Sequence, residues 1–226
     1  VVTGVGDSQK KTEVWPKPES QCTLPDFHLA VDGAVGFWTA QGPMVCGGWR
    51  VNKCFLYKNH QWMPSTNMQT PRDSASAVQI DPNQAIIIGG WDGNNALKST
   101  EVITSTGSEE GKDFPVTIRR HCYFKINSTH ALVTGGYQDE SRSASTWFVD
   151  LTTTTVTPGP KMTSRRIGHS CSTFHLGRKT FGIVAGGYGP VAGGYGPLDS
   201  TEWIDLDEDS PTWTEGMQDK SKIVYL

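Results

Sequence analysis

The chain has 226 residues, a formal net charge of −3 and 19% charged residues, a balance that fits neither a nucleic-acid-binding surface nor a disordered tail. No apolar run approaches the ~18 residues that a membrane span needs. The length suits a single all-β domain over residues 1–226 with a good core, and 25 glycines with 8 tryptophans suit a turn-rich repeat.

Taken in order, the chain starts with a short apolar strand running into glycine, Val1-Val2-Thr3-Gly4-Val5-Gly6, and continues to a strand at Thr12-Glu13-Val14-Trp15. Met44-Val45-Cys46 then leads into Gly47-Gly48-Trp49, Lys53-Cys54-Phe55-Leu56-Tyr57 forms the next strand, and Trp62 follows a turn. Met68 precedes the basic Arg72. Ala85-Ile86-Ile87-Ile88 runs into Gly89-Gly90-Trp91, and Thr100-Glu101-Val102-Ile103 repeats the Thr-Glu start. Residues 105–113 are polar and read as an exposed turn.

Ala131-Leu132-Val133-Thr134 leads into Gly135-Gly136-Tyr137, then Thr146-Trp147-Phe148-Val149, with Met162 ahead of Arg165. Phe181-Gly182-Ile183-Val184-Ala185 leads into Gly186-Gly187-Tyr188, and residues 192–198 nearly copy 185–191, which predicts a lengthened loop. Thr201-Glu202-Trp203-Ile204, Trp213, and Met217 ahead of Lys220 complete the last unit. The chain starts on a second strand and finishes on a first strand, Lys222-Ile223-Val224-Tyr225-Leu226, so the two ends are expected either to complete one blade or to mark a fragment.

The second glycines of the four complete pairs lie 42, 46 and 51 residues apart. Strand-like units at that period predict a β-propeller of four-stranded blades. Gly adopts backbone angles closed to other residues and so lets the chain turn sharply off a strand end. Trp62 and Trp213, at the fourth-strand place, are expected in the core.

The combination of apolar strand, Gly-Gly, loop, third-strand aromatic, fourth-strand Trp and a basic residue ahead of the next inner strand resembles the kelch repeat. The likeness runs over essentially the whole chain. It departs from the pattern at the degenerate first Gly-Gly and where the fourth-strand Trp is missing near Cys22, Phe114 and Val156. It implies an all-β kelch-type propeller of five repeats, either a five-bladed ring or part of a six- or seven-bladed one.

Of five cysteines, Cys46 and Cys54 flank Gly47-Gly48 and can face each other across a hairpin as a disulfide, or serve as small buried hydrophobes. Extracellular invertebrate kelch-type proteins look similar here. Cys122 and Cys171 read as free buried thiols on inner strands, and the odd count leaves at least one cysteine unpaired. Asn127-Ser128-Thr129 is a glycosylation sequon placed at a hairpin turn. These features lean towards an extracellular protein, with a cytoplasmic home as the alternative.

No catalytic or metal constellation stands out. His169 and Cys171 alternate without the second pair that zinc requires. Asp205, Asp207 and Asp209 alternate as in a calcium loop, but Ser210 and Gly216 stand where that loop needs Gly and Glu. The expectation is a non-catalytic propeller without cofactor, holding a protein or other macromolecule on one loop face. The resemblance leaves two alternatives: an intracellular scaffold or ubiquitin-ligase substrate adaptor, and a copper-radical oxidase similar to galactose oxidase.

Candidate contact residues follow the Gly-Gly pairs: Trp49, Arg50, Trp91, Asp92, Asn94, Tyr137, Gln138 and Tyr188. Arg72, Arg120 and Arg166, ahead of inner strands, form a second set suited to a carboxylate ligand. The competing expectation is that the aromatics pack between blades and the arginines bond strand-end carbonyls.

Overall fold

Ile86, Ile87 and Ile88 are buried on both faces of their strand, as are Leu132 and Val133. A β-strand alternates its side chains between two faces, so such runs belong to sheets covered on both sides. In the computed structural model these strands are the second of four in antiparallel meanders. The structure describes residues 31–216, together with 2–3, 12–13, 25 and 27. Among the described residues it is all-β, with no helix.

The chain divides into two compact units, Val1–Arg119 and Arg120–Leu226. The first holds a short pair, β1 (Val2–Thr3) with β2 (Thr12–Glu13), and two four-stranded sheets. One sheet runs β3 (Val35–Thr39), β4 (Gly42–Cys46), β5 (Lys53–Lys58), β6 (Gln61–Asn67). The other runs β7 (Ser76–Asp81), β8 (Gln84–Ile88), β9 (Thr100–Thr104), β10 (Ser108–Glu110), and the short β11 (Ile118–Arg119) follows. Met44, Leu56 and Met68 of one sheet join Ala77, Ile87 and Ile103 of the other in one apolar cluster.

The second unit repeats the plan. Its sheets are β12 (Cys122–Lys125), β13 (His130–Thr134), β16 (Thr146–Asp150), β17 (Val156–Pro158), and β18 (Ser170–Leu176), β19 (Lys179–Ala185), β22 (Thr201–Asp205), β23 (Trp213–Glu215). Phe124, Leu132 and Met162 pack with Val184, Ile204 and Trp213. Between the second and third strands of each sheet, the segment after Gly-Gly forms a hairpin. One is β14 (Tyr137–Gln138) with β15 (Ser141–Arg142), the other β20 (Tyr188–Val191) with β21 (Gly194–Pro197).

Trp62 and Trp213 lie on fourth strands and are buried, at 2% and 7% exposure. Trp62 packs on Phe27, Phe55 and Val45, with its ring centroid 4.6 Å from that of Phe27. The indole Nε1 of Trp213 donates to the Pro160 carbonyl at 3.0 Å.

Three expectations need correction. The polar run at 105–113 is not all turn. Ser108–Glu110 is the fourth strand, opposite Ile103, Val102 and Glu101, because an edge strand tolerates polar residues on its open side. The copied segment after Tyr188 is a paired hairpin, with the two copies facing each other from Tyr188↔Pro197 to Val191↔Gly194. Cys122 and Cys171 are not free thiols. They are bonded, with Cα atoms 6.0 Å apart, and join the first strands of neighbouring sheets. Cys46 and Cys54 are opposite residues of β4 and β5 and are bonded as well. Cys22, the first Gly-Gly copy, Met217, Lys220 and the last strand lie outside the described residues.

Candidate functional site

The first glycine of each pair has a positive φ, 77° at Gly47 and 58° at Gly135, and a Cβ there would collide with the carbonyl of Arg72 or Arg166. The next glycine donates its N–H to the residue four places ahead of the following inner strand. Gly48 bonds Arg72 O, Gly90 bonds Ile118 O and Gly136 bonds Arg166 O, at 2.7–2.9 Å. These bonds show which residues are equivalent from repeat to repeat.

Two of those places hold buried arginines. Arg166 donates Nε–H to Glu202 Oε1 at 2.9 Å, Nη1 to the carbonyls of Gly186 and Ser200, and Nη2 to Ser200 Oγ. Arg72 makes the same four bonds to Glu101, Gly89 O, Ser99 O and Ser99 Oγ. Each glutamate also accepts two backbone N–H groups, of Gln69 and Thr70 or of Thr163 and Ser164. The arginines are 1% and 0% exposed. They therefore leave the set of contact candidates, since all three guanidinium nitrogens are bonded inside the fold.

The third sheet does without this clamp. Ile118 stands where Arg72 and Arg166 do, and Trp147, opposite Val133, stands where Glu101 stands opposite Ile87. Gln138 instead donates Nε2 to the Gly135 and Ser145 carbonyls, 2.8 and 3.4 Å away, and accepts from Trp147 Nε1. At 8% exposure, Gln138 is a structural residue rather than a contact.

Arg120 is different again. It is exposed and holds φ at 53°, two residues ahead of β12. Gly33, Ser74 and Gly168 occupy the same place ahead of β3, β7 and β18, with φ of 70°, 53° and 58°. A left-handed arginine costs on the order of 1–2 kcal/mol relative to glycine's freedom there. Arg120 lines a cleft of about 480 Å³ with Tyr137, Arg142, Ile167, Gly168, Gly187 and Tyr188.

Arg142 forms one wall of that cleft. It sits opposite Tyr137 in the β14–β15 pair, and its guanidinium carbon lies 4.3 Å from the Tyr195 ring centroid, 5.6 Å from Tyr137 and 5.9 Å from Tyr188. Its Nε–H is buried without a hydrogen-bond partner among the described residues. The sequence reading did not single out Arg142 or Tyr195. The only signal was a tyrosine duplicated after Gly-Gly.

The other expected residues lie on separate loops. Trp49 is 52% exposed, with Arg50 over its ring at 5.4 Å. Trp91 is half-buried and carries Arg119 over its ring at 4.5 Å. Asp92 accepts from the backbone N–H of Asn94 and Asn95, which holds its carboxyl below the usual range and makes it a turn residue. Asn94 is exposed beside it. Asn127 is exposed at the β12–β13 turn, where its Oδ1 accepts from Thr129 N, Thr129 Oγ1 and His130 N.

Two buried histidines lie near the second disulfide. Burial, with a contribution from the neighbouring His169, pushes His121 down to about 3. Burial, with a contribution from Arg166, pushes His169 down to about 4, and its Nε2 meets Thr134 Oγ1 at 2.8 Å. Cys171, being bonded to Cys122, is no thiolate ligand for a metal. Asp205 and Asp207 serve the turn: Lys179 Nζ and Asp207 N bond the first, Thr180 N the second. Among the described residues no group of three or more His, Cys, Asp or Glu sits where it could hold a metal ion. No described helix is long and apolar enough to cross a membrane.

No family model matches the chain. It is similar to spermatocyte protein spe-26 of Caenorhabditis elegans, with 27% identity over 101 residues. The match takes in 44% of this chain and 17% of the length of that protein.

Proposed function

We propose that the chain is a kelch-type β-propeller of five repeats, acting outside the cell as a non-catalytic module that holds a protein or other macromolecular partner on the loops after its Gly-Gly pairs. Recurrent four-stranded meanders, with the Arg–Glu clamp repeated between them, support the architecture. Two disulfides favour an oxidising compartment. The exposed sequon at Asn127 agrees with that setting as a glycosylation site.

One observation carries the binding reading. The fold uses Arg72, Arg166 and Gln138 internally, yet leaves large aromatic and cationic groups unspent on the post-Gly-Gly loops. Trp49, Tyr188 and Tyr195 are 52%, 41% and 46% exposed, and Arg120 and Arg142 make no ion pair among the described residues. Exposed aromatics and arginines of this kind are what interfaces are built around.

A photo-crosslinking residue at position 49 or 188 should capture a discrete partner from the protein's native fluid. The same residue at Asn83, in the β7–β8 turn at the far end of its sheet from Trp91, should not. Equal capture from all three positions would overturn the loop-face assignment. Stoichiometric copper with oxidase activity in the purified protein would overturn the non-catalytic reading.

A further inference from the structure

Residues 152–160 hold five threonines and two prolines, the dense hydroxyl and proline content of chains that carry O-linked sugar. The fold sorts these threonines. We infer that Thr157, on the edge strand β17, is an O-glycosylation site, the acceptor of an α-linked N-acetylhexosamine. The inference rests on the extracellular reading above, because such sugar is added on the way out of the cell.

Three features single out Thr157. First, its side chain is exposed and its hydroxyl makes no hydrogen bond among the described residues. The hydroxyls of its neighbours are turned back into the β16–β17 turn. Thr153 Oγ1 donates to Thr155 Oγ1, and Thr154 Oγ1 donates to the Thr153 carbonyl. Thr154 is also left-handed there, with φ at 57°, a curvature that a groove for an extended acceptor does not admit.

Second, β17 is the outermost strand of its sheet and offers its edge. Asp150 N–H donates to the Thr155 carbonyl, and Gly159 N–H to that of Thr146. Antiparallel pairs alternate, so between those bonds Thr157 turns its backbone groups on Phe148, while Val156 and Pro158 turn theirs to the open edge. Pro158 has no N–H to offer there, which suits an edge strand and discourages pairing with another chain.

Third, prolines stand one and three places after Thr157. Pro158 biases Thr157 towards the extended backbone. Pro160 is tied down, its carbonyl accepting from Thr146 Oγ1 at 2.8 Å and Trp213 Nε1 at 3.0 Å. One free hydroxyl thus stands on a strand already extended, and no local unfolding is needed to reach it. In the transfer, Thr157 Oγ1 bonds C1 of a hexosamine carried on a nucleotide diphosphate. The bond from C1 to the diphosphate breaks, and the hydroxyl proton leaves with the diphosphate. The bulky sugar then shields the same open edge that Pro158 protects.

The test maps the tryptic peptide 143–161 of the oxidised protein secreted by animal cells, using electron-transfer fragmentation. After outer sugars are trimmed, Thr157 should carry an N-acetylhexosamine that α-N-acetylgalactosaminidase removes and β-hexosaminidase does not. Thr157→Ala should lose it and Thr157→Ser should keep it. Pro158→Ala should lower its occupancy several-fold. A second arm needs no variant. A purified N-acetylgalactosaminyltransferase with its nucleotide sugar should modify the folded protein at Thr157 alone, and the reduced, unfolded chain at Thr152, Thr153, Thr154 and Thr155 as well. A bare Thr157, folded protein modified equally at the turn threonines, a β-linked sugar, or phosphate on Thr157 overturns the site. A bare Thr157 beside a glycosylated Asn127 strikes the acceptor alone. Free thiols at Cys46, Cys54, Cys122 and Cys171 in protein from its native source strike the extracellular reading itself.

Discussion

Arg166 donates its Nε–H to Glu202 at 2.9 Å where neither side chain meets solvent, and Arg72 makes the same bond to Glu101. A buried pair is a weak source of net stability, because desolvation offsets the attraction. Its loss is another matter. Each glutamate also caps two backbone N–H groups, and each arginine two carbonyls. Glu202→Gln or Arg166→Met should therefore cost about 3–5 kcal/mol, read from urea unfolding. In a double-mutant cycle the two changes should be strongly non-additive. Additive losses would show that the contact is incidental.

The two disulfides should differ in worth. Cys122 and Cys171 are 49 residues apart, Cys46 and Cys54 only 8. Restricting the unfolded chain gives about 4 kcal/mol for the longer loop and about 2.5 kcal/mol for the shorter. The Cys122→Ser/Cys171→Ser protein should thus unfold at clearly lower urea than Cys46→Ser/Cys54→Ser. Non-reducing peptide mapping should find both pairs joined. The reverse order of midpoints, or alkylation of Cys122 and Cys171 in the oxidised native protein, would contradict the pairing described here.

Acid should weaken the fold before the carboxylates titrate. His121 and His169 are kept neutral when folded, at about 3 and about 4, but take up protons near 6.5 when unfolded. Their folded pKa values are depressed, so their contribution is whole above pH 6.5. It is lost as the pH falls towards 4 and then 3, at up to ~1.4 kcal/mol per pH unit for each histidine. Unfolding midpoints at pH 7.5, 6 and 5 should fall in that order. His169→Gln should flatten the slope, with some stability lost at pH 7.5.

Asn127 holds its turn through three hydrogen bonds to one oxygen. Asn127→Ala should cost about 1–2 kcal/mol. In protein made by a eukaryotic secretory host, peptide-N-glycosidase should shorten the apparent mass of the wild type and leave the variant unchanged.

The repeat, its strands and the facing of Cys46 with Cys54 were legible because each depends on neighbours within one hairpin. Thr-Glu recurrence also carried meaning, since a carboxylate inside an apolar strand needs a buried partner, and Arg72 and Arg166 supply it. The pairing of Cys122 with Cys171 was not legible. It joins two sheets across 49 residues, and residues so distant in sequence carry no periodic signal. Arg120 read as a third member of the arginine series, but the Gly-Gly hydrogen bonds give that place to Ile118. Arg142 escaped because it lies on the return strand β15, several residues beyond the Gly-Gly pair, where the repeat pattern marks no position.

Gln138 gives the clamp a different meaning. In three sheets the first Gly of the pair and the serine just ahead of the third strand turn their carbonyls towards one spot: Gly89 with Ser99, Gly135 with Ser145, Gly186 with Ser200. Two sheets answer with an arginine from the segment just ahead of their own first strand, and one answers with an amide from its own hairpin. What persists from sheet to sheet is a vacancy for protons rather than a residue. A neutral side chain of the right reach fills it as well as a cation does, and it needs no glutamate to balance it. Drift at such a place is free to exchange charge for reach while the backbone around it stays the same.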